Sequence, residues 1–201
     1  ELRAASFEPP TTQFRVYNSG ELLQELSLAQ NHEQRHGAPY LQLHRADFHA
    51  IMARRVQEMK PDLLHLGAKA VGFEEAANRV TLVLADGRRI EGDVLIGADG
   101  IKSAVRRQIA GADNPQYTGD AAWRLTVPAD RLPKGFMNHT SSIWVGPKKH
   151  AVVYFLRGGE LLNFVACVEL NEWIEESWTL KRPWMELRAD FDGWHADILN
   201  I

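Results

Sequence analysis

Two short stretches carry residue types that could do chemistry. The first is "VLIGADGIKSAVRR", in which an apolar run ends in Ala98-Asp99-Gly100, Ser103 follows, and Arg106 and Arg107 lie one helical turn on. A strand ending here puts the Asp99 carboxylate at the carboxyl edge of a sheet, where α/β folds bind ligands. Gly100 permits positive φ or close backbone approach. Ser103 suits a helix start, and the two guanidiniums can reach phosphate oxygens. The same residues also fit a plain strand-turn-helix with solvated arginines. The second stretch is "HEQRH", His32 to His36. On a helix, two histidines four apart share a face and can hold zinc, with Glu33 as general base. That reading needs a sustained helix and a third ligand, yet Gly37 and Pro39 follow at once. A solvated polar loop is the competing reading, and no metal site is expected.

Other chemical motifs are missing. The chain has no G-x-G-x-x-G, no G-x-x-x-x-G-K-[ST], no G-x-S-x-G and no C-x-x-C, so neither a complete local nucleotide cradle nor a nucleophile motif is supported. The single cysteine, Cys167, lies in the apolar run "LLNFVACVEL" and reads as a small hydrophobe. One cysteine excludes an internal disulfide and fits a reducing, cytoplasmic setting. Asn138 in "NHT" matches a glycosylation sequon that such a setting leaves unused. The net charge of -3, with scattered Lys and Arg, argues against nucleic acid or an anionic membrane as partner. No run approaches the ~20 apolar residues of a spanning helix, and "ELRAASFEPP" is not a signal peptide.

The elements that must position these residues can be followed along the chain. In "SGELLQELSLAQ", Leu22, Leu23 and Leu26 could line a helical face, with a short strand followed by irregular chain as the competing assignment. "YLQLHRADFHAIMARRVQEMK" predicts a helix with a buried face of Phe48, Ile51, Met52, Val56 and Met59, Asp47 in its first turn and Pro61 ending it. "RVTLVLADGRRIEG" predicts a hairpin with Asp86-Gly87 at its turn. "DVLIGA" has the continuous apolar pattern of a parallel strand covered on both faces, and "IKSAVRRQIAG" predicts a helix ending at Gly111. From Gly119 the segments "AAWRLTVPAD", "SSIWVGPKK", "HAVVYFLRGGE" and "LLNFVACVEL" predict an antiparallel sheet, and the tail returns to helical spacing.

Taken together, these residues resemble a known family. "DVLIGADGIKSAVRRQI" is similar to the D-G-x-x-S-x-x-R motif of FAD-dependent aromatic hydroxylases, the single-component flavoprotein monooxygenases. "YLQLHRADFHAIM" resembles their H-R-x-x-L-x-x-x-L segment, with Phe48 for the first Leu. "AAWRLTVPAD" resembles the first strand of the substrate domain, although Leu125 stands where the family often has Gly. "IWVGPKKHAVVYFLRGGELLNFVACV" is similar to the substrate-sheet hairpin of the salicylate, 3-hydroxybenzoate and 6-hydroxynicotinate hydroxylase branch.

The resemblance implies a mixed α/β fold: a partial, Rossmann-like FAD-binding domain at 1–115, with the Asp-Gly motif at 99–106; an antiparallel substrate sheet at 116–185; and a returning helix from 186 to 201. It implies FAD contacts at Arg45, Asp99, Gly100 and Arg106. The parent enzyme would use NADH or NADPH and O2 to hydroxylate a small aromatic carboxylate or N-heteroaromatic substrate. The family branch places a base or hydrogen-bonding His and Tyr at the positions of His150 and Tyr154. In a strand, residues four apart face the same side, so "HAVVY" directs both rings to one pocket. Asn163, Cys167 and Arg124 are further pocket candidates. The family's glycine fingerprint falls before the region matching residue 1, so the chain is expected to be the middle of a longer protein. The alternatives are a catalytically inactive folding core, a homodimer being one candidate assembly, a zinc hydrolase through "HEQRH", and a related flavin oxidoreductase with a bulkier substrate.

Overall fold

A computed structural model describes residues 1–112, 116–170, 177 and 179–201, with the side chain of residue 30 left aside. In chain order the elements are β1 (Ser6–Phe7), β2 (Thr11–Val16), β3 (Leu22–Ser27), α1 (Ala29–His36), β4 (Gln42–Leu43) and α2 (Arg45–Met59). They continue as β5 (Ala70–Ala76), β6 (Arg79–Leu84), β7 (Arg89–Gly92), α3 (Ala104–Ala110), β8 (Asp120–Pro128) and β9 (Ser141–Gly146). The last are β10 (Lys149–Leu156), β11 (Leu161–Glu169), α4 (Trp184–Asp190) and α5 (Ala196–Leu199). Two compact units result, residues 1–54 with 117–201 and residues 55–116.

The first unit is organised by alternation. Along β10 and β11, Ala151, Val153, Phe155, Leu162, Phe164, Ala166 and Val168 are buried and alternate with less buried residues, except that Leu156 at the end of β10 is buried too. Partners directly opposite in an antiparallel ladder share a face. The buried set therefore forms one layer, and Trp144, Phe191, Trp194 and Ile198 pack into the same cluster. Each large apolar side chain buried this way contributes about 1.5–3 kcal/mol. The sheet has six strands in the order β3-β2-β9-β10-β11-β8, with β2 parallel to β9 and the other pairs antiparallel. Strands β2 and β3, from the segment read as cofactor-binding, thus extend the sheet built by the segments after residue 116. The leucines of 22–26 adopt the strand assignment rather than the helix, because β2 offers them a ladder.

The second unit is a β5-β6-β7 meander with α3 against it. Gly87, at φ 86°, donates its N–H to the Leu84 carbonyl, as the Asp-Gly hairpin requires. The Gln108 amide of α3 accepts from Phe73 N at 2.9 Å and donates to the Phe73 carbonyl.

Two expectations are corrected here. The run at 93–99 forms no strand: no described strand pairs with it, and Val94 and Ile96 are 78% and 84% exposed. A parallel strand exists only through neighbours on both sides, and this run has none. Helix α2 forms as expected, but it has no buried residue, and Phe48, Met52 and Met59 are exposed. Among the described residues, no helix is long and apolar enough to cross a membrane.

Gly97 is required by packing: a Cβ there would lie 2.8 Å from Val105 Cβ. Gly97→Ala is expected to destabilise the second unit by about 1–3 kcal/mol through overpacking, read by urea unfolding.

Candidate active site

The Asp-Gly stretch is held by its own hydrogen bonds. Ser103 N-caps α3, its Oγ accepting from Arg106 N at 2.9 Å. Asp99 supports the same turn: Oδ1 accepts from Ser103 Oγ at 2.5 Å, and Oδ2 accepts from Ala104 N at 2.7 Å and Val105 N at 3.4 Å. These donors stabilise the ionised form, the Ser103 hydroxyl foremost, and hold the Asp99 carboxyl below the usual carboxylate range. Gly100 has φ 77°, and nothing lies within 4 Å of where its Cβ would be. The Arg106 guanidinium folds back onto the Gly100 and Ile101 carbonyls, which places it on the turn itself.

This turn suits the flavin group that the resemblance implies. A carboxylate has about four acceptor positions, so the exposed Asp99 retains capacity for a ligand hydroxyl while capping α3. Gly100 leaves the backbone approachable from its open side. Arg45 opens α2 and belongs to the first unit, whereas Asp99, Gly100 and Arg106 belong to the second.

The substrate candidates occur together on the sheet face opposite the core. His150 pairs with Cys167 and Cys167 with Ala122; Val152 pairs with Val165 and Val165 with Arg124; Tyr154 pairs with Asn163 and Asn163 with Thr126. His150, Tyr154, Asn163, Cys167 and Arg124 thus share one side. At about 3.3 Å per residue, His150 and Tyr154 are roughly 13 Å apart along β10, with Val152 between them. Burial pushes the Tyr154 phenol above its usual value, while Arg124 and Asn163 pull the other way. Tyr154 is therefore a neutral hydroxyl near pH 7, able to donate a hydrogen bond. Burial likewise raises the Cys167 thiol, as suits an unreactive side chain.

An open recess of about 360 Å³ lies over part of this face. Its floor includes Ile143, Val152 and Tyr154, and its opposite wall is Tyr40, Leu41, Gln42 and Leu43. His150, Asn163, Cys167 and Arg124 do not line it. The wall was missed in the sequence because β4 is two residues long and reaches the recess only through tertiary placement, with Ser6 opposite Leu43 and Phe7 opposite Gln42. Its one signal was a glutamine amid apolar residues: Gln42 is buried, and its Oε1 has no hydrogen-bond partner. Asn163 Nδ2 is a second buried polar atom without a partner.

"HEQRH" does form a helix, contrary to the loop reading. His32 and His36 sit with ring centroids 4.5 Å apart, and His32 Nδ1 lies 2.9 Å from the Ala38 carbonyl. Among the described residues no group of three His, Cys, Asp or Glu could hold a metal, so the zinc hydrolase reading has no support.

Comparison with known proteins identifies the family. No family model matches the sequence. The 3-amino-4-hydroxybenzoate 2-monooxygenase of Streptomyces platensis is 34% identical over 187 residues, 93% of this chain and 46% of the relative. The 3-hydroxybenzoate 6-hydroxylase 1 of Aquipseudomonas alcaligenes is 35% identical over 138 residues, 69% of this chain and 35% of the relative. Klebsiella pneumoniae HpxO complexed with FAD and uric acid has the same fold, with a TM-score of 0.78 at 23% identity over 98% of this chain and 49% of that one. The class that fold and sequence define is the FAD-dependent aromatic monooxygenases. The chain is a homologue of these enzymes and spans about half the length, or less, of the curated relatives it matches.

A carboxyl held low in the folded state adds stability above its unfolded value and loses it as pH falls through the folded value. The α3 cap should therefore hold at neutral pH and fail only in acid, below about pH 4. The Ala104 amide resonance is expected to titrate in that range, and in Asp99→Asn it should stay flat.

Proposed function

We propose that the chain carries the substrate sheet and the Asp-Gly turn of a flavin monooxygenase that hydroxylates a small aromatic acid or its N-heteroaromatic analogue. The observation that carries this reading is the common face of His150, Tyr154, Asn163, Cys167 and Arg124, set back to back with an apolar core. A single six-membered ring with polar substituents at both ends fits above Val152, between His150 and Tyr154. The Tyr154 hydroxyl donates to one substituent. His150, exposed on the same face, accepts the phenolic proton at the other end and so enriches the ring in electrons. Arg124 faces the same side and suits a substrate carboxylate. Asp99, Gly100 and Arg106 would contact the FAD, which when bound would supply electrons from NAD(P)H to O2. One oxygen atom then enters the ring and the other leaves as water.

NAD(P)H and the unpaired Cys167 support a cytoplasmic setting. The exposed Leu22, Leu23 and Leu26 on edge strand β3 support a homodimer. A second reading, a folded core without turnover of its own, is favoured by the exposure of Val94, Ile96 and the apolar side of α2.

The test is ring binding by this chain, followed by nuclear magnetic resonance with salicylate, 3-hydroxybenzoate and 6-hydroxynicotinate. Shifts centred on Val152 and Tyr154 are expected, with affinity lowered roughly tenfold in Tyr154→Phe by loss of one hydrogen bond. Binding that maps to the core side of the sheet, or none by any ring, would refute the reading.

A further inference from the structure

Arg157 stands where a turn alone would not call for it. It follows β10 directly, at φ 51°, a left-handed conformation that non-glycine residues seldom adopt. Gly158 and Gly159 come next at φ 65° and 101°, and they suit such a turn without strain. What arginine adds at this position is its side chain. The guanidinium makes a fork-to-fork pair with Asp47, Nε to Oδ2 at 2.6 Å and a terminal nitrogen to Oδ1 at 2.8 Å, across 110 residues of sequence. This two-point geometry fixes orientation as well as distance.

The pair joins the two segments that form the recess. Asp47 sits in the first turn of α2, four residues beyond Leu43 of the recess wall. Arg157 is three residues beyond Tyr154 on the recess floor. Other links join wall and floor as well. Among the described residues the wall strand β4 pairs with the two residues of β1 and also lies against β10, and Phe7 of β1 rests on Phe155 at a centroid distance of 5.8 Å. His44 Nδ1 approaches the same carboxylate at 3.7 Å, so the end of the wall also faces Asp47.

We propose that Asp47 and Arg157 are positioning residues, a clamp that holds the Tyr40–Leu43 wall against the sheet and sets how closely the recess grips an aromatic ring. The inference rests on the reading of the recess as a ring site. Binding to a preformed pocket avoids the cost of ordering its wall on each encounter. The clamp supplies that order from outside the recess, and neither residue needs to touch the ring.

Arg157→Gly separates this role from a structural one, because it removes the side chain and relieves the left-handed backbone together. The expected result is a melting temperature unchanged or raised, faster amide exchange confined to residues 40–48, and salicylate affinity lowered roughly five- to tenfold. Arg157→Lys, which keeps the charge but not the fork, should fall between. The charge exchange Asp47→Arg with Arg157→Asp should recover part of the affinity. Unaltered exchange at 40–48 in Arg157→Gly, or unaltered salicylate affinity, overturns the clamp while leaving the ring site standing. A lowered melting temperature with faster exchange throughout the unit also overturns it, in favour of a purely structural pair. Failure of the unaltered chain to bind salicylate overturns the ring-site reading, and the clamp's bearing on fit falls with it.

Discussion

The two-residue period of the six-stranded sheet governs what each side chain in the first unit can do. A register slip of one residue would carry Phe155 and Phe164 to the open side and Tyr154 and Asn163 into the core. The slip is opposed by several buried apolar side chains, each contributing about 1.5–3 kcal/mol. It is also opposed by the turn at Arg157–Gly159, which fixes which residues of β10 and β11 meet. Because one face supplies the hydrophobic stabilisation, the other is free to carry Arg124, His150, Tyr154 and Asn163. Their side of the sheet is decided before any of them meets a ligand.

The second unit shows a different economy, in which the group proposed to meet a ligand also serves local structure. Asp99 caps α3 and keeps lone pairs toward solvent, and Ser103 both caps the helix and orients Asp99. Arg106 is drawn onto the carbonyls of Gly100 and Ile101, so its charge stiffens the turn that presents the carboxylate. A turn built this way keeps its shape without a ligand, the preorganisation that cofactor sites rely on.

How much of this could be read in the sequence depends on the range of the forces involved. Strands β8 to β11 were legible because alternation is local and repeats four times between 120 and 169. The Asp86-Gly87 hairpin was legible because its geometry lies in two residues. The common face of His150 and Tyr154 followed from the same period. Harder were the features set by partners far along the chain. Leu22, Leu23 and Leu26 fit a helical face as well as a strand, and only β2 beside them decides. "VLIGA" has the composition of a covered strand, but composition cannot supply neighbours, and Val94 and Ile96 stand exposed. "HEQRH" looked too polar and too near Gly37 to form a helix, yet it coils up to that glycine, whose φ of 69° closes the turn. Tyr40 and Gln42 reach the recess through contacts with distant parts of the chain, β4 against β1 and β10, which no local pattern announces.

The parallel pairing of β2 with β9 has a consequence for how the chain is made. Thr12 meets Ser141 and Val16 meets Val145, so the ribosome must deliver some 125 further residues before the first long strand can dock on β9. During that interval the β5-β6-β7 meander and α3, which pair with one another inside residues 55–116, can fold within their own stretch. The intervening unit would then be complete while β2 and β3 wait as an unpaired ribbon bearing Leu22, Leu23 and Leu26, a tract suited to a chaperone until the late strands emerge.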